Sequence, residues 1–216
     1  TAPGWWWGRW AGPGGVGDLD DLRGAAAGWG GGALRRRDPR TEEWLSTNEG
    51  VGNVDDLGRI AAAAARYESN QATPDDVAYL NDVATSPGGA RPKANVVKDD
   101  GRLALAKLPR SADGSIDVER WEALALSLAA RCGIRVPVWE LLPAAAGEKS
   151  VLILDRFDRT IDGQRIGYIS GATALGLGVH DDRRVTYEGF ADAIGELSAD
   201  PRADSERCSS ASPSRC

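Results

Sequence analysis

The sequence predicts an α+β fold, an antiparallel sheet with helices packed against it, and three observations carry that expectation. A hairpin signal, Asp99-Asp100-Gly101, lies between two short alternating segments. An apolar stripe at helical spacing runs from Trp121 to Cys132. Further β-rich segments follow this stripe, and one more amphipathic helix comes after them.

Taken in order, the first element is a helix from Val54 to Glu68. Asp55 and Asp56 suit its positive first turn, and Ile60 to Ala65 is strongly helix-favouring. Thr73-Pro74-Asp75-Asp76 starts a second helix, with Thr73 as N-cap and Pro74 at the first helical position. That helix carries Val77, Leu80 and Val83 inward and stops before Pro87-Gly88-Gly89. Ala94 to Lys98 and Arg102 to Leu108 form the hairpin, with Gly101 supplying the positive φ of its turn. Alternation puts Leu103, Leu105 and Lys107 on one face of the second strand. A helix follows from Asp117 to Arg131, burying Trp121, Leu124, Ala125, Leu128, Ala129 and Cys132 and ending at Gly133. Val136 to Leu142, Ser150 to Phe157 and Arg165 to Ile169 are expected strands. Thr186 to Leu197 is a helix presenting Phe190, Ala193, Ile194 and Leu197.

Both ends read differently. Residues 1–32 hold eleven of the 27 glycines, with Trp5, Trp6, Trp7 and Trp10 in the first ten positions and no helical or strand period. An irregular segment is expected there. Residues 198–216 contain no Leu, Ile, Val or aromatic residue, so a disordered tail is expected. The domain reading is therefore 1–32 irregular, 33–86 helical, 87–197 the organised α+β region, and 198–216 tail. Both ends are also candidates for out-of-frame relics of a longer coding sequence.

A formal charge of −6 argues against bulk nucleic-acid binding, because that needs clustered Lys and Arg in excess. Arg35-Arg36-Arg37 is short and is followed by acidic residues. Cys132, Cys208 and Cys216 form no CxxC pair, which fits neither a disulfide framework nor a zinc site and suits a reducing cytoplasm. No run approaches the ~20 apolar residues of a membrane span. His180 is the sole histidine, which makes a Ser-His-Asp triad or a His-rich metal site a poor expectation.

The constellation that carries chemistry is Ser86-Pro87-Gly88-Gly89-Ala90-Arg91-Pro92-Lys93, then Lys107, then Glu122, then Asp155-Arg156-Phe157-Asp158-Arg159. Paired glycines let backbone amides approach phosphate oxygens closely. A lysine on the inward face of a following strand reaches the same phosphates, and a carboxylate on the next helix holds that lysine. On residue chemistry alone the plainer reading is favoured: a turn after Pro87, a strand-end surface lysine, and a solvated helix carboxylate.

The stretch Gly88-Gly89-Ala90-Arg91-Pro92-Lys93-Ala94 closely resembles the phosphate-loop signature of the HipA family of serine/threonine kinases. Gly101 to Pro109 looks like that family's lysine strand, Trp121 to Pro137 like its following helix and turn, and Leu154 to Arg159 like its RFDR segment. Tyr187 to Ile194 and, upstream, Gly32-Ala33-Leu34-Arg35 are similar too. The resemblance spans about Gly32 to Leu197.

It implies a kinase-like N-lobe and ATP as the ligand. Gly88, Gly89, Ala90, Arg91, Pro92 and Lys93 would close over the phosphates, and Lys107, partnered by Glu122, would hold the α/β-phosphates. Asp155, Arg156 and Phe157 would line the hinge, where backbone groups meet adenine. Ser86 matches the family's autophosphorylation site. Asp158 and Arg159 are read as structural pairs. The resemblance also implies a toxin of a type II toxin–antitoxin module, with an antitoxin protein as partner. Kinase chemistry further needs a catalytic Asp and an Asn and Asp that hold magnesium. No asparagine follows Asn95, so the chain is expected to be truncated before the catalytic loop, inactive, and unable to hold magnesium alone. The other reading is a non-catalytic nucleotide- or partner-binding module, or a marginally folded remnant.

Overall fold

The computed structural model describes residues 30–33, 35, 37–44, 51–83, 91–143, 149–178 and 185–210. The Trp cluster near the start, Ser86, Gly88, Gly89, Ala90, His180 and Cys216 lie outside them. The chain divides into two compact units, residues 1–125 with 137–166, and residues 126–136 with 167–216.

In the first unit five strands form a mixed sheet. They are β1 (Gly52–Asn53), β2 (Lys93–Val97), β3 (Leu103–Lys107), β4 (Trp139–Pro143) and β5 (Ser150–Asp155), in the order β1-β2-β3-β5-β4. The pairs β2–β3, β3–β5 and β5–β4 are antiparallel, as expected. The correction is β1, a two-residue strand that pairs parallel to β2. At two residues it carries no period to read. The hairpin closes where Asp99-Asp100-Gly101 places it, with the Gly101 amide donating to the Lys98 carbonyl at 2.8 Å.

Helices α1 (Leu57–Glu68) and α2 (Pro74–Val83) cover one face of the sheet. The first turn expected of α1 is instead a 3-10 turn, Val54–Asp56. Thr73 caps α2, its hydroxyl accepting from the Asp76 amide at 3.1 Å while the Asp76 carboxylate accepts from the Thr73 amide at 3.0 Å. Leu57, Ile60, Ala63, Ala64, Leu80 and Val83 pack onto Ala94, Val96, Ala104, Ala106, Leu108, Val151 and Ile153. The many alanines on both sides let helix and sheet approach closely, and each fully buried Ile or Leu contributes about 1.5–3 kcal/mol.

Gly52 belongs to this contact, because a Cβ placed there would stand 2.7 Å from Ile60 Cδ1. Gly52→Val is expected to lower the unfolding free energy by about 1–3 kcal/mol through overpacking. Denaturant melts of the two proteins check this, and an unchanged midpoint would contradict it.

Registers put Lys93, Asn95 and Val97 opposite Lys107, Leu105 and Leu103, and Lys107 and Leu105 opposite Leu152 and Leu154. This second face carries helix α3 (Val118–Arg131). The expected apolar stripe does not turn inward. Trp121, Leu124 and Leu128 are exposed at 65%, 46% and 50%, while Glu119 and Ala123 are buried. Ion pairs set the rotation of the helix: Glu119 is held by Arg91 and Glu122 by Lys107. Gly133, at φ 78°, ends α3 as expected, with the Ile134 amide donating to the Ala129 carbonyl at 3.0 Å.

Arg165 to Ile169 is not a strand. Arg165 makes one isolated bridge to Arg159, and its guanidinium turns to backbone carbonyls instead.

The second unit holds the end of α3, α4 (Gly171–Ala174), α5 (Tyr187–Leu197) and α6 (Pro201–Ser210). Thr186 caps α5 at the Gly189 amide, 3.1 Å away. On α5 Ala193 is buried, Phe190 and Ile194 are half-buried, and Leu197 is exposed. Helix α6 corrects the expected structureless tail over residues 201–210. Pro201 opens it, the Asp200 carboxylate accepts from the Ala203 amide at 3.2 Å, and Ser198 bonds Asp204. Composition alone missed these local caps.

Candidate functional site

The site grows from one register pair. Lys93 begins β2 and Lys107 ends β3, and the two lie directly opposite each other. Directly opposed like charges are unfavourable on a strand pair, so this arrangement calls for anions beside it. Glu122, on the adjoining turn of α3, supplies one and pairs with Lys107 Nζ. Lys93 Nζ donates to the Arg91 carbonyl at 3.1 Å. Burial, and then the neighbouring charges of Lys107 and Arg91, draw the Lys93 ammonium below the usual lysine range.

Arg91 is held by two carboxylates. Its guanidinium forks onto Asp113, Nη1 to Oδ1 at 3.0 Å and Nη2 to Oδ2 at 2.6 Å, and Nη2 also donates to Glu119 Oε1 at 2.8 Å. Glu119 is 1% exposed, and burial pushes its carboxyl up against the pull of Arg91. Among the described residues its Oε2 has no hydrogen-bond partner. Asp113 and Glu119 are site neighbours that sequence reading missed. The available signal was the three-residue spacing of Glu119 and Glu122, which puts both carboxylates on one side of a helix.

The Asp155-Arg156-Phe157 segment is taken up by the fold. The Asp155 amide donates to the Val138 carbonyl at 2.9 Å and the Arg156 amide to the Leu103 carbonyl at 3.3 Å. The Asp155 carboxylate sits between Lys98 and Arg102, at 2.8 and 2.6 Å. Arg156 grips Asp158 and donates to Asn95 Oδ1 at 2.8 Å, while Phe157 is 70% exposed. Asp158 is buried. It accepts from Arg156, from Arg159 at 2.8 Å, and from the Gly32 amide at 2.6 Å.

The structure thus brings Arg91, Lys93, Lys107 and Glu122 together and puts Asp155 and Arg156 in ion-pair clusters that tie strands to one another. Among the described residues no group of three or more His, Cys, Asp or Glu is placed to hold a metal ion. No helix among them is long and apolar enough to cross a membrane.

This arrangement is a sheet lysine held by a helix carboxylate within an α+β unit. The family model of the HipA-like C-terminal domain matches residues 85–211, more than half of the chain, and the chain belongs to that family. The match includes the 86–93 stretch, Lys107, Glu122 and the 155–159 segment. Gly32 to Arg35 lies outside it. No curated protein matches the chain.

Proposed function

We propose that this chain is a kinase-like nucleotide-binding lobe that holds the phosphates of ATP between the 88–93 stretch and Lys107. The observation that carries the reading is the Lys107–Glu122 ion pair, set opposite Lys93 on one sheet face. Glu122 keeps the Lys107 ammonium aimed, and a polyphosphate adds the negative charge that two facing ammoniums favour. The backbone amides of 88–90 are the remaining ligands by family resemblance.

Phosphoryl transfer needs an Asn and an Asp that hold magnesium, and no asparagine follows Asn95 in these 216 residues. The proposal is therefore binding without transfer by this chain alone. An antitoxin protein, within a toxin–antitoxin module, is the partner that family membership suggests.

Titration of the ¹⁵N-labelled chain with a non-hydrolysable ATP analogue tests the reading. The amides of Lys93 and Lys107 are expected to shift in a saturable way. Unshifted amides in a folded protein would sink it.

A further inference from the structure

Building on the nucleotide-binding reading, we infer that Arg91 and Glu119 are positioning residues: a part-buried ion pair that fixes where Glu122 meets Lys107, rather than a phosphate ligand and its neighbour. The contacts close into a ring. The Arg91 side chain reaches Glu119 on α3, and one turn along the same helix Glu122 reaches Lys107. Lys107 stands opposite Lys93, whose ammonium returns to the Arg91 carbonyl at 3.1 Å. Each link is a charged contact, a strand register or a helical turn, so displacement at one point moves the others.

Two observations keep Arg91 in this role. Its fork onto Asp113 is bidentate, the geometry in which a guanidinium binds a carboxylate most firmly. Glu119 is buried, and its single charged hydrogen bond among the described residues comes from Arg91. Were Arg91 to swing onto a phosphate, that carboxylate would be left buried without its counter-charge, which is strongly unfavourable. Helix geometry supplies the transmission. Residues three apart lie on the same side of an α-helix, about 4.5 Å along its axis, so anchoring Glu119 sets both the rotation and the height of Glu122. The exposed apolar stripe of α3 is the visible consequence of that anchoring.

The test follows Lys107 directly, in the full chain labelled with ¹³C-lysine, with its side-chain signal assigned by Lys107→Arg. Glu119→Gln keeps the shape and the accepting oxygen but removes the charge, and it is expected to move the Lys107 ε-methylene signal. Asp113→Asn, at a carboxylate nearer solvent, is expected to move it less. A Lys107 signal unchanged in folded Glu119→Gln overturns the inference. If that variant does not fold, Asp113→Asn decides by the same criterion.

Affinity for the ATP analogue provides the second readout. Arg91→Gln and Glu119→Gln are each expected to weaken it about three- to tenfold, with the double variant no weaker than the weaker single one. Tighter binding by Glu119→Gln would mean that a released Arg91 reaches phosphate, and would overturn the positioning role. Should the wild-type chain bind no nucleotide while Lys107 still responds to Glu119→Gln, the pair keeps its positioning role and the nucleotide reading falls.

Discussion

Lys107→Ala is expected to lower the affinity of the chain for an ATP analogue about ten- to hundredfold, the loss of one charge-assisted contact to phosphate. Lys107 is the side chain that both the strand register and the helix carboxylate direct to the same place. Glu122 is about one-third exposed, so once unpaired it is hydrated, and the fold is expected to persist. Glu122→Ala should weaken binding less, because the lysine itself remains and loses only its orientation. Arg120→Ala, at an exposed residue of the same helix, should change nothing. Calorimetric titration of the three variants reads the order directly. If Lys107→Ala binds as tightly as wild type, this lysine is an ordinary strand-end residue.

Much of this unit was legible in the sequence because local signals and tertiary packing agree there. The Asp99-Asp100-Gly101 turn, the alternation that puts Leu103, Leu105 and Lys107 on one face, and the Thr73-Pro74 helix start each depend on neighbours a few residues away. The Lys107–Glu122 pair was legible too, since strand parity and helix position each constrain one partner. The sequence misled where a distant contact decides. Apolar periodicity on α3 pointed Trp121, Leu124 and Leu128 inward, yet two ion pairs, to Arg91 just ahead of β2 and to Lys107 on β3, accompany an outward placement of those residues. A composition rule likewise hid α6, whose caps are individual residues that an average discards. The partners of Arg91 were not legible either, because Asp113 lies 22 residues downstream and Glu119 28.

Asp158→Asn is expected to have the largest effect on stability of any substitution considered, about 3–5 kcal/mol, because it removes the counter-charge from a buried cluster. Arg156 and Arg159 are 8% and 6% exposed and both donate to this carboxylate, which also accepts from the Gly32 amide. Asparagine keeps the shape but not the charge, so two guanidiniums lose their buried anion. With total stabilities of about 5–15 kcal/mol, a domain can lose much of its reserve this way.

The same group makes the effect depend on pH in a definite direction. Burial pushes the Asp158 carboxyl up, but the hydrogen bonds from Arg156 and the Gly32 amide, with the charges of Arg156 and Arg159, outweigh it and bring it down to about 2. Its folded value lies below the ordinary 3.8, so its contribution is fully present above that pH and is lost as pH falls through about 2. Denaturant melts of wild type and Asp158→Asn should therefore differ most near neutrality and converge over that acid range. Other carboxylates titrate in both proteins and cancel in the difference. A gap that stays constant down to pH 2 would mean that shape, not charge, holds the cluster together. Through Arg156 and Asn95 the same cluster ties the end of β5 to the middle of β2, two residues from Lys93. A folded Asp158→Asn variant should therefore also bind nucleotide more weakly, although Asp158 has no contact with Lys93 or Lys107.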